Sequence, residues 1–202
     1  MFVKICGVTS LETAKVVQNA GADFIGFVFA PSKRRIAPVK AAEIAKHLSP
    51  SLKKVGVFVN ESLENIKLIA NLVGLDYIQL HGDEPKQLAT KIPYPIIKAF
   101  SIDQVDAATI QDYPYDYLLI DSPGETFRGG SGNTFNWKKL NELKIDRRKL
   151  LLAGGLNINN IKEAIDTVHP IGVDVSSGVE TDGVKDHEKI HQFIQQATYE
   201  TI

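Results

Sequence analysis

The sequence contains one cysteine, one methionine and one tryptophan among its 202 residues. A single cysteine cannot form an intrachain disulfide, and this usage is typical of a reducing compartment. The longest apolar run, residues 24–30, is far too short to span a bilayer, and the N-terminus has no apolar segment of the secretory type. These absences predict a cytoplasmic protein that does not enter a membrane.

Neither sign of charge is in excess. The chain has 23 Lys and Arg against 24 Asp and Glu, a formal net charge of −1. Because no basic excess is present, the composition predicts no nucleic-acid partner. The hydrophobic fraction of 44% is ordinary for a globular chain with a sizeable core. With no linker or low-complexity segment, we expect one domain spanning residues 1–202.

Short apolar runs alternate with longer segments of helical period, which is the pattern of βα units and a parallel sheet. The runs are apolar almost throughout, as expected of strands buried on both faces. They are residues 2–6, 24–29, 54–59, 77–80, 96–100, 117–121, 150–153 and 172–175.

Helix start and stop signals lie between these runs. Helices are predicted over 11–19 after Thr9 or Ser10, 39–48 after Pro38, 63–73 after Glu61 or Ser62, a short one from Asp83 and Pro85 to 91, one after Asp103 or Asp106, then 137–143, 158–168 after Asn157, and 187–197 after Asp186. Eight repeats of about 25 residues predict a single-domain (β/α)8 TIM barrel, with an open doubly wound sheet as the alternative.

In parallel barrels the functional residues follow the C-terminal ends of the strands. Polar side chains at those ends, with two in the layer beneath, need a partner or a substrate because apolar strands bury them at a cost. These residues are Cys6, Asn60, His81, Asp121 and Asp174, with Gln79 and Lys98 beneath them. The alternative is an interior network in which Lys4 and Lys98 neutralise Asp121 and Asp174 without any chemistry.

Lys4 and Cys6 share one face of the first strand, because side chains alternate along a strand. A neighbouring positive charge favours the thiolate, which is the form that acts as a base or nucleophile. We therefore expect Lys4 to lower the pKa of Cys6. The alternative is that Cys6 is a small buried hydrophobe.

Two glycine-rich loops indicate a phosphate site. Gly154 and Gly155 follow the seventh strand, and Ser176, Ser177 and Gly178 follow the eighth, where barrels often bind phosphate through backbone amides. Tight turns are the alternative interpretation.

Three other segments leave their interpretation open. The basic run 32–35 is either a solvated patch or a site for a carboxylate, and 129–132 is either a lid or a flexible connection. The sequence from His187 to His191 matches the H-E-x-x-H zinc pattern. However, this helix carries an apolar stripe, and Glu200 is the sole candidate for the third protein ligand that a catalytic zinc needs. Both observations argue against a metal.

Taken from the residues alone, a phosphate site, a thiol on the first strand and a carboxylate on the sixth indicate proton transfer on a phosphorylated small molecule. Together these motifs resemble the phosphoribosylanthranilate isomerase family along essentially the whole chain. The segments that carry the resemblance are 4–7, 26–29, 32–34, 56–60, 79–82, 130–132, 153–156 and 174–180.

The resemblance implies an Amadori rearrangement in tryptophan biosynthesis that needs no metal or organic cofactor. By the same resemblance, Cys6 is the general base and Asp121 the general acid. The substrate-binding residues would be Arg34, His81 and Asp174, and the phosphate would bind at Gly154, Gly155, Ser176, Ser177 and Gly178.

Two other functions fit parts of the pattern. The sugar isomerase of histidine biosynthesis resembles this chain in fold and chemistry, but it has a carboxylate where Cys6 stands. A protein that binds a phosphorylated ligand without turnover is the second alternative. The sequence leaves open whether the protein is a monomer or a homodimer.

Overall fold

The computed structural model describes residues 1–122, 136–143 and 145–198. Eight parallel strands form a closed barrel in chain order, which confirms the predicted (β/α)8 fold class. Pairing of Lys4 with Asp174 in the register of the first and last strands completes the ring. The strands are β1 Phe2–Cys6, β2 Phe24–Val28, β3 Lys53–Phe58, β4 Tyr77–Leu80, β5 Ile96–Ser101, β6 Tyr117–Asp121, β7 Leu150–Leu152 and β8 Gly172–Val175.

Helices follow the strands on the outside of the barrel. Ser10, Ser62 and Asp106 accept hydrogen bonds from backbone N–H groups in the first turns of their helices, so each acts as an N-cap. The helices are α1 Leu11–Asn19, α2 Pro38–Ala45, α3 Leu63–Val73, α4 Lys86–Ala89, α5 Ala107–Asp112, α6 Ile161–Val168 and α7 His187–Thr198. Within the described ranges, none is both long and apolar enough to cross a membrane.

Several helix predictions were wrong in detail. The helix predicted to run to residue 48 ends at Ala45, and the one predicted to run to residue 91 ends at Ala89. The segment predicted as a helix over 137–143 is a 3₁₀ helix, Trp137–Asn141. The helix predicted from residue 158 begins at Ile161, because Asn157 and Asn160 both donate to the Gly155 carbonyl oxygen and residues 158–160 form a turn. Side chains that bond to nearby backbone in this way compete with the first helical turn.

The core has two layers, as expected for a barrel whose strands alternate their side chains. The layer between sheet and helices contains most of the buried Ile, Leu and Val residues. The inner layer fills the barrel with Phe24, Val55, Ile97, Ala99, Leu119, Leu151 and Ala153. The interior is therefore packed below the C-terminal ends of the strands, which we call the barrel mouth.

Four aromatic rings close the opposite end of the barrel, and we call Phe2, Phe24, Tyr77 and Tyr117 the floor cluster. The ring of Phe24 lies 5.7 Å from Phe2, 5.4 Å from Tyr77 and 6.2 Å from Tyr117, measured between centroids, at interplanar angles of 76° to 89°. Edge-to-face packing of this kind is the favoured arrangement of aromatic pairs. The floor cluster fills the N-terminal end of the barrel.

Lys98 does not belong to the barrel interior, so its predicted position was wrong. Its neighbours Ile97 and Ala99 face the inner layer, and Lys98 therefore points outward. There its ammonium donates to Glu84 Oε2 at 2.8 Å and to the Gly82 carbonyl oxygen at 2.7 Å. Glu84 also accepts from the backbone N–H groups of Asn60 and Gly82, each at 2.9 Å. This ion pair ties the loops after β3 and β4 to β5.

A small antiparallel hairpin, which the sequence analysis missed, follows β8. It pairs β9 Glu180–Thr181 with β10 Val184–Lys185 and sets Lys185 opposite Glu180. Asp182 and Gly183 form the turn with φ of 51° and 78°. Positive φ at both positions is typical of a type I′ turn, for which Asp-Gly is a favoured sequence.

Replacing Lys98 by Met is expected to lower the free energy of unfolding by about 3 to 5 kcal/mol, since it leaves the Glu84 carboxylate buried without a counter-charge. The matched control is Lys86→Met, which breaks an ion pair whose side chains are 45% and 69% exposed. That change should cost less than about 1 kcal/mol. Urea unfolding measures both. Equal losses would contradict the structural importance of the buried pair.

Candidate active site

Four predicted site residues meet at the barrel mouth. Cys6 and Asp121 are the last residues of β1 and β6, His81 directly follows β4, and Asp174 lies in β8. Each side chain is largely withdrawn from water, with exposures of 8% for Cys6, 6% for Asp121 and 8% for Asp174. The closed ring therefore brings together residues that are far apart in sequence, as predicted.

A buried ion pair joins the first and last strands beneath the mouth. Lys4 is fully buried, and its Nζ donates to Asp174 Oδ1 at 2.8 Å. Burial alone would lower the pKa of Lys4, but Asp174 and Cys6 together raise it above its usual value. Lys4 is thus positively charged at neutral pH.

Lys4 lowers the pKa of Cys6 as expected, but the net pKa of the thiol is raised above its usual value. Burial raises the pKa of the Cys6 thiol, and the Asp174 carboxylate raises it further. Lys4, as predicted, and Lys185, which was not predicted, lower the pKa of Cys6 but do not outweigh these effects. The alternation of side chains along β1 correctly identified Lys4 as a neighbour of Cys6. The cost of burying a thiolate, however, depends on all the groups packed around it. Without a ligand, Cys6 is a neutral thiol.

The Asp121 carboxyl group is also removed from water. Burial and the nearby Asp174 carboxylate raise its pKa to about 6, although Ser122 partly opposes the shift. Ser122 donates its backbone N–H to Asp121 Oδ1 at 2.7 Å. The second oxygen, Oδ2, lies 3.6 Å from His81 Nε2. Asp121 can therefore carry a proton near neutral pH, as a general acid requires.

His81 is held from below by Gln79, one of the two residues that the sequence places beneath the strand ends. Gln79 is 1% exposed, and its Nε2 lies 3.0 Å from His81 Nδ1. Since His81 Nε2 faces Asp121, the three side chains form a row from β4 to β6. Strand alternation indicated that Gln79 and His81 share a face, but no motif indicated this contact.

Arg34 lies beside the mouth in a bidentate ion pair. Its Nε and Nη2 donate to the two Glu180 oxygens at 2.7 and 2.8 Å. Gly7, whose φ is +77°, leaves room for Arg34, because a Cβ there would lie 2.5 Å from Arg34 Cδ. Glu180 thus fixes the plane of the Arg34 guanidinium. The sequence analysis gave Glu180 no role.

Lys185 completes this cluster and was also missed. Its Nζ bonds Glu180 and donates to the Ser176 carbonyl oxygen at 2.9 Å. Ser176 in turn donates its hydroxyl to the Cys6 carbonyl oxygen at 3.1 Å. The Asp-Gly turn was the one sequence signal for this hairpin, since it sets Lys185 across from Glu180.

The two predicted phosphate loops lie against each other and against the end of β6. A Cβ on Gly178 would lie 1.8 Å from the Leu156 carbonyl oxygen, and one on Gly154 would lie 2.4 Å from the Ser122 nitrogen. Gly154 and Gly155 also adopt positive φ, 87° and 63°. Only glycine permits such close contact between the backbones of these loops. The structure brings together the two loops that contain Gly154, Gly155, Ser176, Ser177 and Gly178, as predicted.

Two further segments were singled out by the sequence analysis. The loop 129–132, considered as a lid, lies outside the described residues. On α7, His187 Nε2 lies 3.5 Å from Thr13 Oγ1, and Glu188 accepts from Gln192 at 2.8 Å. In residues 1–122, 136–143 and 145–198, no three His, Cys, Asp or Glu side chains are grouped to hold a metal ion.

Comparison with known proteins is consistent with this geometry. The family model described as N-(5'-phosphoribosyl)anthranilate (PRA) isomerase matches residues 3–196. The chain belongs to this isomerase family. It is 55% identical to the N-(5'-phosphoribosyl)anthranilate isomerase of Oceanobacillus iheyensis over 195 residues, which cover 96% of this chain and 95% of that protein.

Two solved structures of the family are similar throughout. One contains monomers generated from the dimeric phosphoribosylanthranilate isomerase of Thermotoga maritima, at 41% identity and a TM-score of 0.82. The other is a phosphoribosyl anthranilate isomerase in complex with reduced 1-(o-carboxyphenylamino)-1-deoxyribulose 5-phosphate, at 40% identity and a TM-score of 0.81. In both comparisons, 98% of each chain is covered.

Replacing Asp121 by Asn is expected to raise the free energy of unfolding at pH 8, by up to about 3 kcal/mol. The folded-state pKa of about 6 exceeds the unfolded value of about 3.9. Wild type therefore loses stability as the pH rises from about 4 to about 6, whereas Asn carries no charge and keeps an acceptor for Ser122.

Urea unfolding of both proteins between pH 4 and 8 measures this difference, which should vanish near pH 4. Asp106→Asn is the control, because hydrogen bonds from Thr109 lower the pKa of Asp106. Removing the Asp106 carboxylate should therefore reduce the free energy of unfolding at pH 8, the opposite of the change expected for Asp121→Asn. A pH-independent difference for Asp121→Asn would contradict the raised pKa.

Proposed function

We propose that this isomerase works by general acid and base catalysis, with Asp121 as the acid and Cys6 as the base. As a family member, the chain is an aldose–ketose isomerase of tryptophan biosynthesis. It converts N-(5'-phosphoribosyl)anthranilate to 1-(2-carboxyphenylamino)-1-deoxyribulose 5-phosphate. The observation that supports the two roles is that a thiol and a desolvated carboxyl occupy the ends of β1 and β6 at one mouth.

The rearrangement needs a proton at one site of the sugar and removes a proton from another. Asp121 donates its proton to the furanose ring oxygen while the bond from that oxygen to C1 breaks. The lone pair of the anthranilate nitrogen forms a C=N bond to C1. Cys6 then removes the proton on C2, the electrons of that C–H bond form a C1=C2 double bond, and the C=N electrons return to nitrogen. The resulting enol gains a proton at C1 and loses the proton of its C2 hydroxyl, which gives the ketone. The strands β1 and β6 are three steps apart around the ring, so the two groups address different atoms of one bound substrate.

Both groups must leave their resting protonation states to react. With a pKa of about 6, about one tenth of Asp121 carries a proton at pH 7. Cys6 must become a thiolate, which its raised pKa disfavours and the charges of Lys4 and Lys185 favour. The two lysines therefore supply the electrostatic support for the base.

The remaining predicted residues bind the substrate in this proposal. Arg34, oriented by Glu180, directs its other N–H groups to the anthranilate carboxylate. The backbone N–H groups of the loops with Gly154, Gly155, Ser176, Ser177 and Gly178 bind the phosphate. His81 and Asp174 contact the sugar between these two anchors.

The proposal needs neither a metal nor an organic cofactor, since the two proton transfers are carried by side chains. The ligand is a small phosphorylated molecule, and no nucleic acid or membrane takes part, in keeping with the balanced charge of the chain. A cytoplasmic location agrees with the single cysteine. The dimeric relative from Thermotoga maritima favours a homodimer over a monomer.

Cys6→Ala and Asp121→Asn should each lower kcat by at least about a hundredfold, because each removes one proton-transfer group. Substrate is generated in the cuvette from anthranilate and phosphoribosyl pyrophosphate by a separate transferase, and its loss is followed by fluorescence with a chelator present. Inorganic phosphate should protect both variants and wild type equally against thermal unfolding. Unaltered turnover in either variant would remove that residue from the mechanism.

Arg34→Lys should raise KM about tenfold or more, since an ammonium cannot replace the planar guanidinium that Glu180 orients. The control is Arg35→Lys at the next residue, which is exposed and outside the cluster and should leave KM unchanged. Steady-state kinetics of both variants measure the difference. Equal KM values would assign the anthranilate carboxylate to another residue.

A further inference from the structure

Gln79 is a buried polar side chain for which the mechanism above has no role. It lies within β4, is 1% exposed, and its Oε1 has no hydrogen-bond partner among the described residues. Its Nε2 lies 3.0 Å from His81 Nδ1. A buried amide oxygen without a hydrogen-bond partner destabilises the fold, so the presence of Gln79 in an apolar strand needs an explanation.

The amide orientation determines which nitrogen of His81 carries a proton. When Gln79 donates through Nε2, His81 Nδ1 must accept and is unprotonated. The neutral imidazole then has its proton on Nε2, the nitrogen 3.6 Å from Asp121 Oδ2. Turning the amide over would present Gln79 Oε1 to His81 Nδ1, and His81 Nδ1 would then have to carry a proton. In that case His81 Nε2 either has a free lone pair and can accept, or is also protonated and makes the ring cationic.

The two tautomers affect Asp121 in opposite ways. An Nε2–H group has no lone pair, so it cannot take the proton of Asp121 and leaves it for the substrate. After that proton has moved, the same N–H group faces the new carboxylate and stabilises it. With the proton on Nδ1 instead, the Nε2 lone pair would accept from Asp121 and retain the proton that the reaction needs.

We propose that Gln79 is a positioning residue that holds His81 in the Nε2–H tautomer, so that His81 stabilises ionised Asp121 without accepting its proton. This role rests on the proposed function of Asp121 as the general acid. Gln79 itself does not touch the substrate. Its amide orients the imidazole in the way that second-layer groups orient catalytic histidines elsewhere.

The first test is nitrogen NMR of wild-type protein labelled at histidine, with His81→Gln used to assign its signals. At neutral pH the shifts of His81 should be those of an unprotonated Nδ1 and a protonated Nε2. A signal pattern with the proton on Nδ1 would overturn the proposal. This readout does not depend on turnover, so it stands or fails separately from the acid role of Asp121.

The second test compares Gln79→Glu, Gln79→Met and the control Tyr77→Phe on the same strand, whose ring belongs to the floor cluster. A carboxylate can only accept, so Gln79→Glu should move the His81 proton to Nδ1 and lower kcat about ten- to a hundredfold with KM changed less than about threefold. Gln79→Met should give a mixture of tautomers and an intermediate kcat. Tyr77→Phe should match wild type in both readouts.

Unfolding temperatures and far-ultraviolet circular dichroism of each variant show whether the fold is retained. Loss of kcat in Gln79→Glu with an unaltered tautomer would mean that Gln79 acts only in packing, and would overturn the proposal. Wild-type kcat in a variant with the altered tautomer would overturn it as well. Retained turnover in Asp121→Asn would instead refute the acid assignment and leave the tautomer result unaffected.

Discussion

The contact between Lys4 and Asp174 is the interaction on which the barrel mouth depends. It joins the first and last strands, and neither charge could be buried there alone. The same two charges act outward on their neighbours, because Asp174 raises the pKa of Asp121 while Lys4 favours the thiolate of Cys6. One ion pair therefore serves both the closure of the ring and the reactivity of the two groups above it.

Burial acts on the two proposed catalytic groups in the same direction, since both are acids that ionise to anions. It keeps Asp121 partly protonated, which suits an acid, and it keeps Cys6 protonated, which opposes a base. The reactive combination, with the proton on Asp121 and not on Cys6, is a minor state of the unliganded enzyme.

The fold could be predicted from the sequence because its signals are local. Apolar runs marked the eight strands, and Ser10, Ser62 and Asp106 were among the predicted helix caps. Most of the site followed from one rule, that polar residues at the strand ends of a parallel barrel meet at its mouth. The family resemblance then related Cys6 and Asp121 to a reaction.

What could not be predicted depends on packing or on very short elements. Lys98 stands in a run that is apolar on both faces, so alternation gave no indication of which face it occupies. The net pKa of Cys6 is a balance of burial against several charges from other strands. The hairpin that carries Glu180 and Lys185 has strands of two residues each, too short for any periodicity.

Among the residues that the structure describes, the floor cluster closes the N-terminal end of the barrel. With Phe2, Phe24, Tyr77 and Tyr117 packed across the N-terminal end, a molecule bound at the mouth has no path through the barrel axis. Substrate and product therefore use the same opening, and the product must depart before the next substrate can enter. Product and substrate therefore compete for one site at the mouth of the barrel.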